Sequence, residues 1–150
     1  NENTDVEDGR EKNEKKYKYS KITENECIAI CERLYAYIET EKPFSNPELK
    51  IVDLAQALNC SSHTLSFIFN QYLTKNYYDF INEYRIKEFK SIVSETESSK
   101  YTLTALAEQC GFSSRASFFR SFKKLTGITP NEYIRNIGKN LHVIEGEDER

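Results

Sequence analysis

Leu106-Ala107-Glu108-Gln109-Cys110-Gly111-Phe112-Ser113-Ser114 decides how this chain is read, because Leu54-Ala55-Gln56-Ala57-Leu58-Asn59-Cys60-Ser61-Ser62 precedes it with nearly the same pattern. The likeness runs on. Thr64-Leu65-Ser66-Phe67-Ile68-Phe69-Asn70-Gln71 matches Ser117-Phe118-Phe119-Arg120-Ser121-Phe122-Lys123-Lys124, and Tyr78-Asp79-Phe80-Ile81 matches Asn131-Glu132-Tyr133-Ile134. The offset grows from 52 to 53 inside the turn, so the second copy carries one residue more there. Each copy reads as a short helix, a tight turn and a longer helix, the grammar of a helix-turn-helix that lays its second helix in a DNA groove. Two copies imply two groove contacts from one molecule.

Working outward, the expected fold is all-α: two helix-turn-helix subdomains joined by a long linker helix, preceded by an additional N-terminal helix. Residues 1–16 are polar, mixed in charge and without periodicity, and read as a disordered arm or linker. Residues 17–48 hold the N-terminal helix and a turn. Thr23-Glu24-Asn25-Glu26 has the spacing of a capping box, and Cys27, Ile30, Cys31, Leu34 and Ile38 recur at helical spacing before Pro43. Tyr35 and Tyr37 widen that apolar face; core packing is the expected use, a dimer or sensor contact the alternative.

The double unit spans 49–140: a first unit at 49–76, a linker helix at 77–95 and a second unit at 101–138. Helices are expected at 51–58, 62–73, 103–110 and 114–125, with turns at 59–61 and at Gly111. Phe80, Ile81, Tyr84, Phe89, Ile92 and Val93 form the buried set of the linker helix, and Glu95 to Lys100 is a polar break. Thr102 caps one helix, Gly127 ends another, and Thr129-Pro130-Asn131-Glu132 starts the last. The acidic tail, 141–150, is expected to fray.

A chain of this length suits one compact domain rich in Ile, Leu and Phe and poor in Gly and Pro. No apolar run is long enough to span a membrane, and no signal peptide stands at the start. The chain begins without Met and contains none, which reads as a piece of something longer. The net charge of −3 is uneven: residues 52–140 hold 11 Lys and Arg against 8 Asp and Glu, so the acid lies in the tails and the first helix. That modest surplus implies moderate non-specific affinity for nucleic acid. The four cysteines form no CxxC pair and read as buried free thiols; Cys27 and Cys31, one turn apart, lack nearby histidines for a zinc site. Neither a metal nor a cofactor is expected. No phosphate-binding glycine loop, nucleophile elbow or HExxH motif points to an enzyme.

In the first reading helix Leu65, Ile68, Phe69 and Tyr72 share one apolar stripe, leaving Ser62, His63, Ser66 and Asn70 outward. In the second, Phe118, Phe122 and Leu125 face inward, so Arg115, Ala116, Ser117 and Arg120 face outward, with Lys123 and Lys124 one turn on. Arg115 or Arg120 could fork onto guanine O6 and N7. The serines suit base edges or phosphates. Lys123 and Lys124 suit phosphates, although a solvated lysine is an equal reading; for Arg120 the lesser alternative is a salt bridge with an acid of a neighbouring helix. His63, at an exposed helix start, suits a base or phosphate better than a metal.

Leu106-Ala107, Gly111-Phe112-Ser113, Ser117 to Lys124, Thr126-Gly127-Ile128-Thr129-Pro130 and Tyr133 together form a long gapped pattern. With Asn82-Glu83-Tyr84-Arg85-Ile86, it resembles the DNA-binding domain of the AraC/XylS family of bacterial transcription factors, arabinose-operon regulators among them, over roughly Leu49 to Ile137. The resemblance implies two reading helices inserted into successive major-groove segments on one face of double-stranded DNA. It places base contacts on Ser62, His63, Ser66 and Phe67 in the first unit and on Arg115, Ala116, Ser117 and Arg120 in the second. Asn70, Ser114, Lys123 and Lys124 are the expected phosphate contacts.

Phe67 and Phe119 depart from the family's commonly polar choices; Phe67 could meet a thymine methyl or weaken the first head. Arg85 and Asp53 read as structural, with pairing to one another as an option. Further implied are a cytoplasmic transcriptional activator touching RNA polymerase, and a missing N-terminal sensory module, membrane-attached in one version. A homodimer through the N-terminal helix or that module is a further option. The alternative function is a helical protein-interaction module without DNA binding.

Overall fold

In the computed structural model, residues 22–95 and 101–138 are described. The expected arm at 1–16, the break at 96–100 and the acidic tail at 141–150 lie outside the described residues. The fold is all-α. The described helices are α1 (Glu24–Glu41), α2 (Ile51–Ala57), α3 (Ser62–Phe67), α4 (Tyr77–Glu95), α5 (Leu103–Gln109), α6 (Arg115–Thr126) and α7 (Pro130–Asn136). A 3₁₀ turn at Pro43–Ser45 follows α1, and a π turn at Ile68–Tyr72 extends α3.

The chain divides into two compact units. One holds 22–41 with 50–75; the other holds 42–49 with 76–95 and 101–138. The segment 42–49 therefore belongs with the second unit although α1 and α2 flank it in sequence.

In the first unit, Thr23 and Glu26 close a reciprocal cap at the start of α1. The Glu26 N–H donates to Thr23 Oγ1 at 3.1 Å, and the Thr23 N–H donates to Glu26 Oε2 at 2.8 Å. Cys27, Ile30, Cys31, Leu34 and Ile38 are all buried, as their spacing predicts. They share the core with Leu54, Ala55, Leu58, Leu65, Ile68 and Phe69. Arg33 Nη2 donates to the Leu58 carbonyl at 3.0 Å, so α1 satisfies the C-terminal end of α2.

The helix expected over 62–73 is not uniform. Its second half widens, with the Leu73 N–H reaching the Ile68 carbonyl at 2.8 Å. A π turn rotates less per residue than an α-helix. Ile68 and Phe69 stay buried, while Tyr72, expected on the buried stripe, is 37% exposed.

The second unit is built on aromatic rings. Phe118 meets Phe89 at 4.9 Å, Phe112 at 5.0 Å and Phe122 at 5.7 Å between centroids, and Tyr133 closes on Phe122 at 5.6 Å. Such pairs add about 0.5–1.5 kcal/mol each beyond the area they bury. Ile86, Val93, Leu103, Leu106 and Ile134 fill the rest of this core. Ile92 and Leu125, expected to be buried, sit at its edge half-buried, and Tyr84, also expected to be buried, is half-buried against Phe44 and Phe80.

Arg85 ties the 42–49 segment to α4. It donates from Nε to the Phe44 carbonyl at 2.8 Å, from Nη2 to the Asn46 carbonyl at 3.0 Å and from Nη1 to Asn82 Oδ1 at 3.0 Å. Asp53 instead caps α2, accepting from the Lys50 N–H at 2.9 Å. Both residues are structural, but each works on backbone of its own unit rather than as the other's ion-pair partner.

Candidate nucleic-acid interface

The turn that joins α2 to α3 and the turn that joins α5 to α6 are built alike. In the first unit the Asn59 N–H donates to Gln56 at 3.2 Å and the Cys60 N–H to Ala55 at 2.9 Å. In the second the Gly111 N–H donates to Glu108 at 3.0 Å and the Phe112 N–H to Ala107 at 3.1 Å. This paired pattern is the Schellman helix ending, which needs a left-handed residue just past the helix. Asn59 has φ 55° and Gly111 φ 106°. Helices α3 and α6 then start on serine caps. Ser61 accepts from the Thr64 N–H at 3.0 Å, and Ser114 accepts from the Ser117 N–H at 3.1 Å. The residue that changes the repeat offset therefore lies between the left-handed position and the cap.

On α6 the opposite faces are cleanly divided. Phe118, Ser121 and Phe122 are buried, whereas Ala116, Arg120, Lys123 and Lys124 are exposed along one stripe. Ser121 is held by Asn82, whose Nδ2 donates to its Oγ at 3.2 Å. Ser117 and Arg115 are half-buried at the margin, and Ser114 is exposed with its oxygen engaged in the cap.

The two lysines differ. Lys124 Nζ pairs with Asp79 at 2.9 Å, while Lys123 has no ion pair among the described residues. Arg120, for which a salt bridge was an open reading, also stands without one among the described residues. The pair at Lys124 is exposed, so it is worth about 0–1 kcal/mol and leaves the ammonium exchangeable.

On α3 and its π turn, His63 and Asn70 are exposed, and Ser62, Ser66 and Phe67 are half-buried. This face carries no Lys or Arg between Ser61 and Leu73.

Three contributors escape a residue-by-residue reading. Ser61 is the cap rather than a turn filler; its match to Ser114 at offset 53 was the available signal. Asp79 holds Lys124 across 45 residues, which no local pattern announces. Phe119 lies under Arg115, whose guanidinium carbon is 5.0 Å from the ring centroid, and their spacing of four residues on one helix was a legible hint.

The cysteines are free. Burial pushes the Cys31 thiol up to about 11 and the Cys110 thiol up to about 12, and raises Cys27 and Cys60 as well. They are protonated packing groups at neutral pH. Among the described residues no group of three or more His, Cys, Asp or Glu is placed to hold a metal ion. No described helix is long and apolar enough to cross a membrane.

Duplicated helix-turn-helix units with solvent-facing second helices put the chain in the helix-turn-helix class. A helix-turn-helix domain family matches residues 54–136, and the chain belongs to this family in its AraC type. It is 33% identical over 86 residues to an uncharacterised HTH-type transcriptional regulator of Bacillus subtilis, and 36% identical over 86 residues to another of Staphylococcus aureus. Each match covers 57% of this chain and 11% of the relative, so the chain spans about a tenth of those proteins.

Among solved structures it resembles the C-terminal domain of AraT, a response regulator from Geobacillus stearothermophilus. The TM-score is 0.61 and the identity 26%, over 81% of this chain and 93% of that one. It also resembles the C-terminal domain of the two-component response regulator yesN from Fusobacterium nucleatum. There the TM-score is 0.55 and the identity 27%, over 68% of this chain and 94% of that one.

Proposed function

We propose that this chain is the DNA-binding part of a transcriptional activator, with α3 and α6 entering adjacent major-groove segments of one duplex and α4 as their connector. The observation that carries the reading is the division of α6. One face is sealed by Phe118 and Phe122, and the other offers Ala116, Arg120 and Lys123 to solvent from a capped helix start. That is the arrangement a reading helix needs, because base contacts come from its outward N-terminal half and phosphate contacts from its flanks. Ser62, His63, Ser66 and Phe67 would read bases in the first unit, and Arg115, Ala116, Ser117 and Arg120 in the second. Asn70, Ser114, Lys123 and, after leaving Asp79, Lys124 would hold phosphates.

RNA polymerase and an N-terminal sensory module are the further partners of this proposal. The length of the relatives beyond the matched region is consistent with such a module. A homodimer would form through α1, where Ile28 and Tyr35 are exposed, or through that module.

Duplex selection from a random library, followed by salt titration, tests the proposal. With several phosphates engaged, affinity should fall by roughly two orders of magnitude or more between about 50 and 200 mM salt. Arg120→Ala should lose base preference at one position, costing about 1–3 kcal/mol, whereas Lys123→Ala should weaken all sequences about equally. Salt-independent binding, or an Arg120→Ala protein with unchanged affinity and preference, would overturn the assignment of this face.

A further inference from the structure

Two arginines of the second unit are treated in opposite ways. Arg85 spends its donors on two backbone carbonyls and an amide oxygen. Arg115 makes no hydrogen bond within the described residues; its Nε is buried and unpaired. What holds Arg115 is a ring. Its guanidinium carbon lies 5.0 Å from the centroid of Phe119, one helical turn on. Phe119 is in turn pinned edge-on by the fully buried Phe118, with centroids 5.7 Å apart and planes at 86°. The core thus fixes Phe118, Phe118 fixes Phe119, and Phe119 carries a cation at the first residue of α6.

From this chain of contacts we infer that Phe119 is a positioning residue that holds Arg115 as the guanine-reading side chain of α6. An arginine used only for structure has its donors satisfied, as Arg85 does. Arg85 also lies over a ring, Phe112, at 5.8 Å to the centroid, so stacking alone does not separate the two; Arg115 differs in keeping its terminal donors unspent for a ligand. Stacking also removes rotamer freedom before binding, freedom that an unstacked arginine would have to give up on the DNA. The flat fork of two parallel N–H groups matches guanine O6 and N7, and no other base edge in the major groove offers two acceptors in that arrangement. Phe119 itself need not touch DNA to act in this way.

The inference rests on the DNA-binding reading, and its test separates the two. Wild-type, Phe119→Leu, Phe119→Tyr, Arg115→Gln and the Phe119→Leu/Arg115→Gln double variant are each put through duplex selection and then titrated on the selected site and its single-base variants. Phe119→Leu should lower the preference for guanine at one position about tenfold, with affinity for unselected duplex changed less than about twofold, and Phe119→Tyr should keep it. Arg115→Gln should abolish the same preference, and adding Phe119→Leu should cost nothing more.

Retained guanine preference in Phe119→Leu, or losses that multiply in the double variant, would overturn the inference. If Phe119→Leu does not fold, Arg115→Lys decides: it keeps the charge without the fork, and retained preference would overturn the assignment. A wild-type protein that selects a site without an Arg115-dependent guanine sinks this inference alone. One that binds no duplex in a salt-dependent way sinks the DNA-binding reading with it.

Discussion

A methyl group added at Gly111 would lie 2.0 Å from the Phe44 carbonyl oxygen and 2.9 Å from Arg85 Nε, on a backbone already at φ 106°. Gly127 also has positive φ, 82°, but nothing stands within 4 Å of its missing Cβ. The two positions therefore separate conformational strain from collision. Gly127→Ala should cost about 1–2 kcal/mol, the left-handed penalty alone. Gly111→Ala should cost at least about 3 kcal/mol, because the clash would also dislodge the hydrogen bond between Arg85 and Phe44. Urea denaturation of the two variants checks the ordering; equal losses would mean that the 42–49 segment moves aside at little cost. The glycine's turn role was legible in sequence, since a helix ending followed by a second helix calls for a left-handed residue. Its second role was not, because Phe44 comes from 67 positions upstream and the contact exists only in the folded chain.

Three helix starts in the second unit rest on one hydroxyl each, while α4 starts on the Asn76 amide oxygen, which accepts from the Tyr78 N–H at 2.8 Å. Thr102 accepts from the Ala105 N–H at 3.0 Å, Ser114 from Ser117 at 3.1 Å and Thr129 from Glu132 at 3.2 Å. In the first unit Ser61 is the cap and Ser62 is proposed to meet a base, and this offers a test at the level of the element. Ser61→Ala should lower stability by about 1 kcal/mol with base preference unchanged, whereas Ser62→Ala should leave stability within about 0.5 kcal/mol and alter the selected site. Thermal unfolding beside duplex selection checks both; the reverse pattern would move the cap by one residue.

Helix limits and caps were readable because side-chain chemistry announces them locally: Thr23 with Glu26, Thr102, Gly127, and Thr129 before Pro130. The π turn was not. Leu65, Ile68, Phe69 and Tyr72 fit an α-helical stripe, and the five-residue bond from Leu73 to Ile68 answers to the packing of two adjacent buried side chains, not to propensity. The outward face of α6 was readable in the same way as the caps, whereas the ion pair of Lys124 with Asp79 depends on how α4 and α6 meet.

Over the molecule as a whole, three buried thiols and one half-buried one take the place of any disulfide. Their titration sets an alkaline limit. Cys31 holds its proton to about 11 and Cys110 to about 12 in the folded chain, above the ordinary 9.0 of a thiol. Above pH 9 the unfolded chain releases these protons first and so binds fewer than the folded one, which makes the stability slope negative. Stability from this source is intact below pH 9 and should decline as pH rises toward 11–12; denaturant midpoints across that range measure it. Cys110→Ala should flatten part of the decline while lowering stability at neutral pH through the cavity it leaves. A midpoint that holds level from pH 8 to 11 would show that the thiols do not govern the alkaline limb.

The strand of backbone that seals Gly111 and receives Arg85 stands upstream of both repeats, at residues 44–46. A fragment cut to the homologous span, 54–136, would keep both helices proposed to meet DNA and still take from the Arg85 guanidinium its two backbone acceptors, leaving it only Asn82. The smallest portable version of this domain is therefore longer at its front than kinship alone marks out.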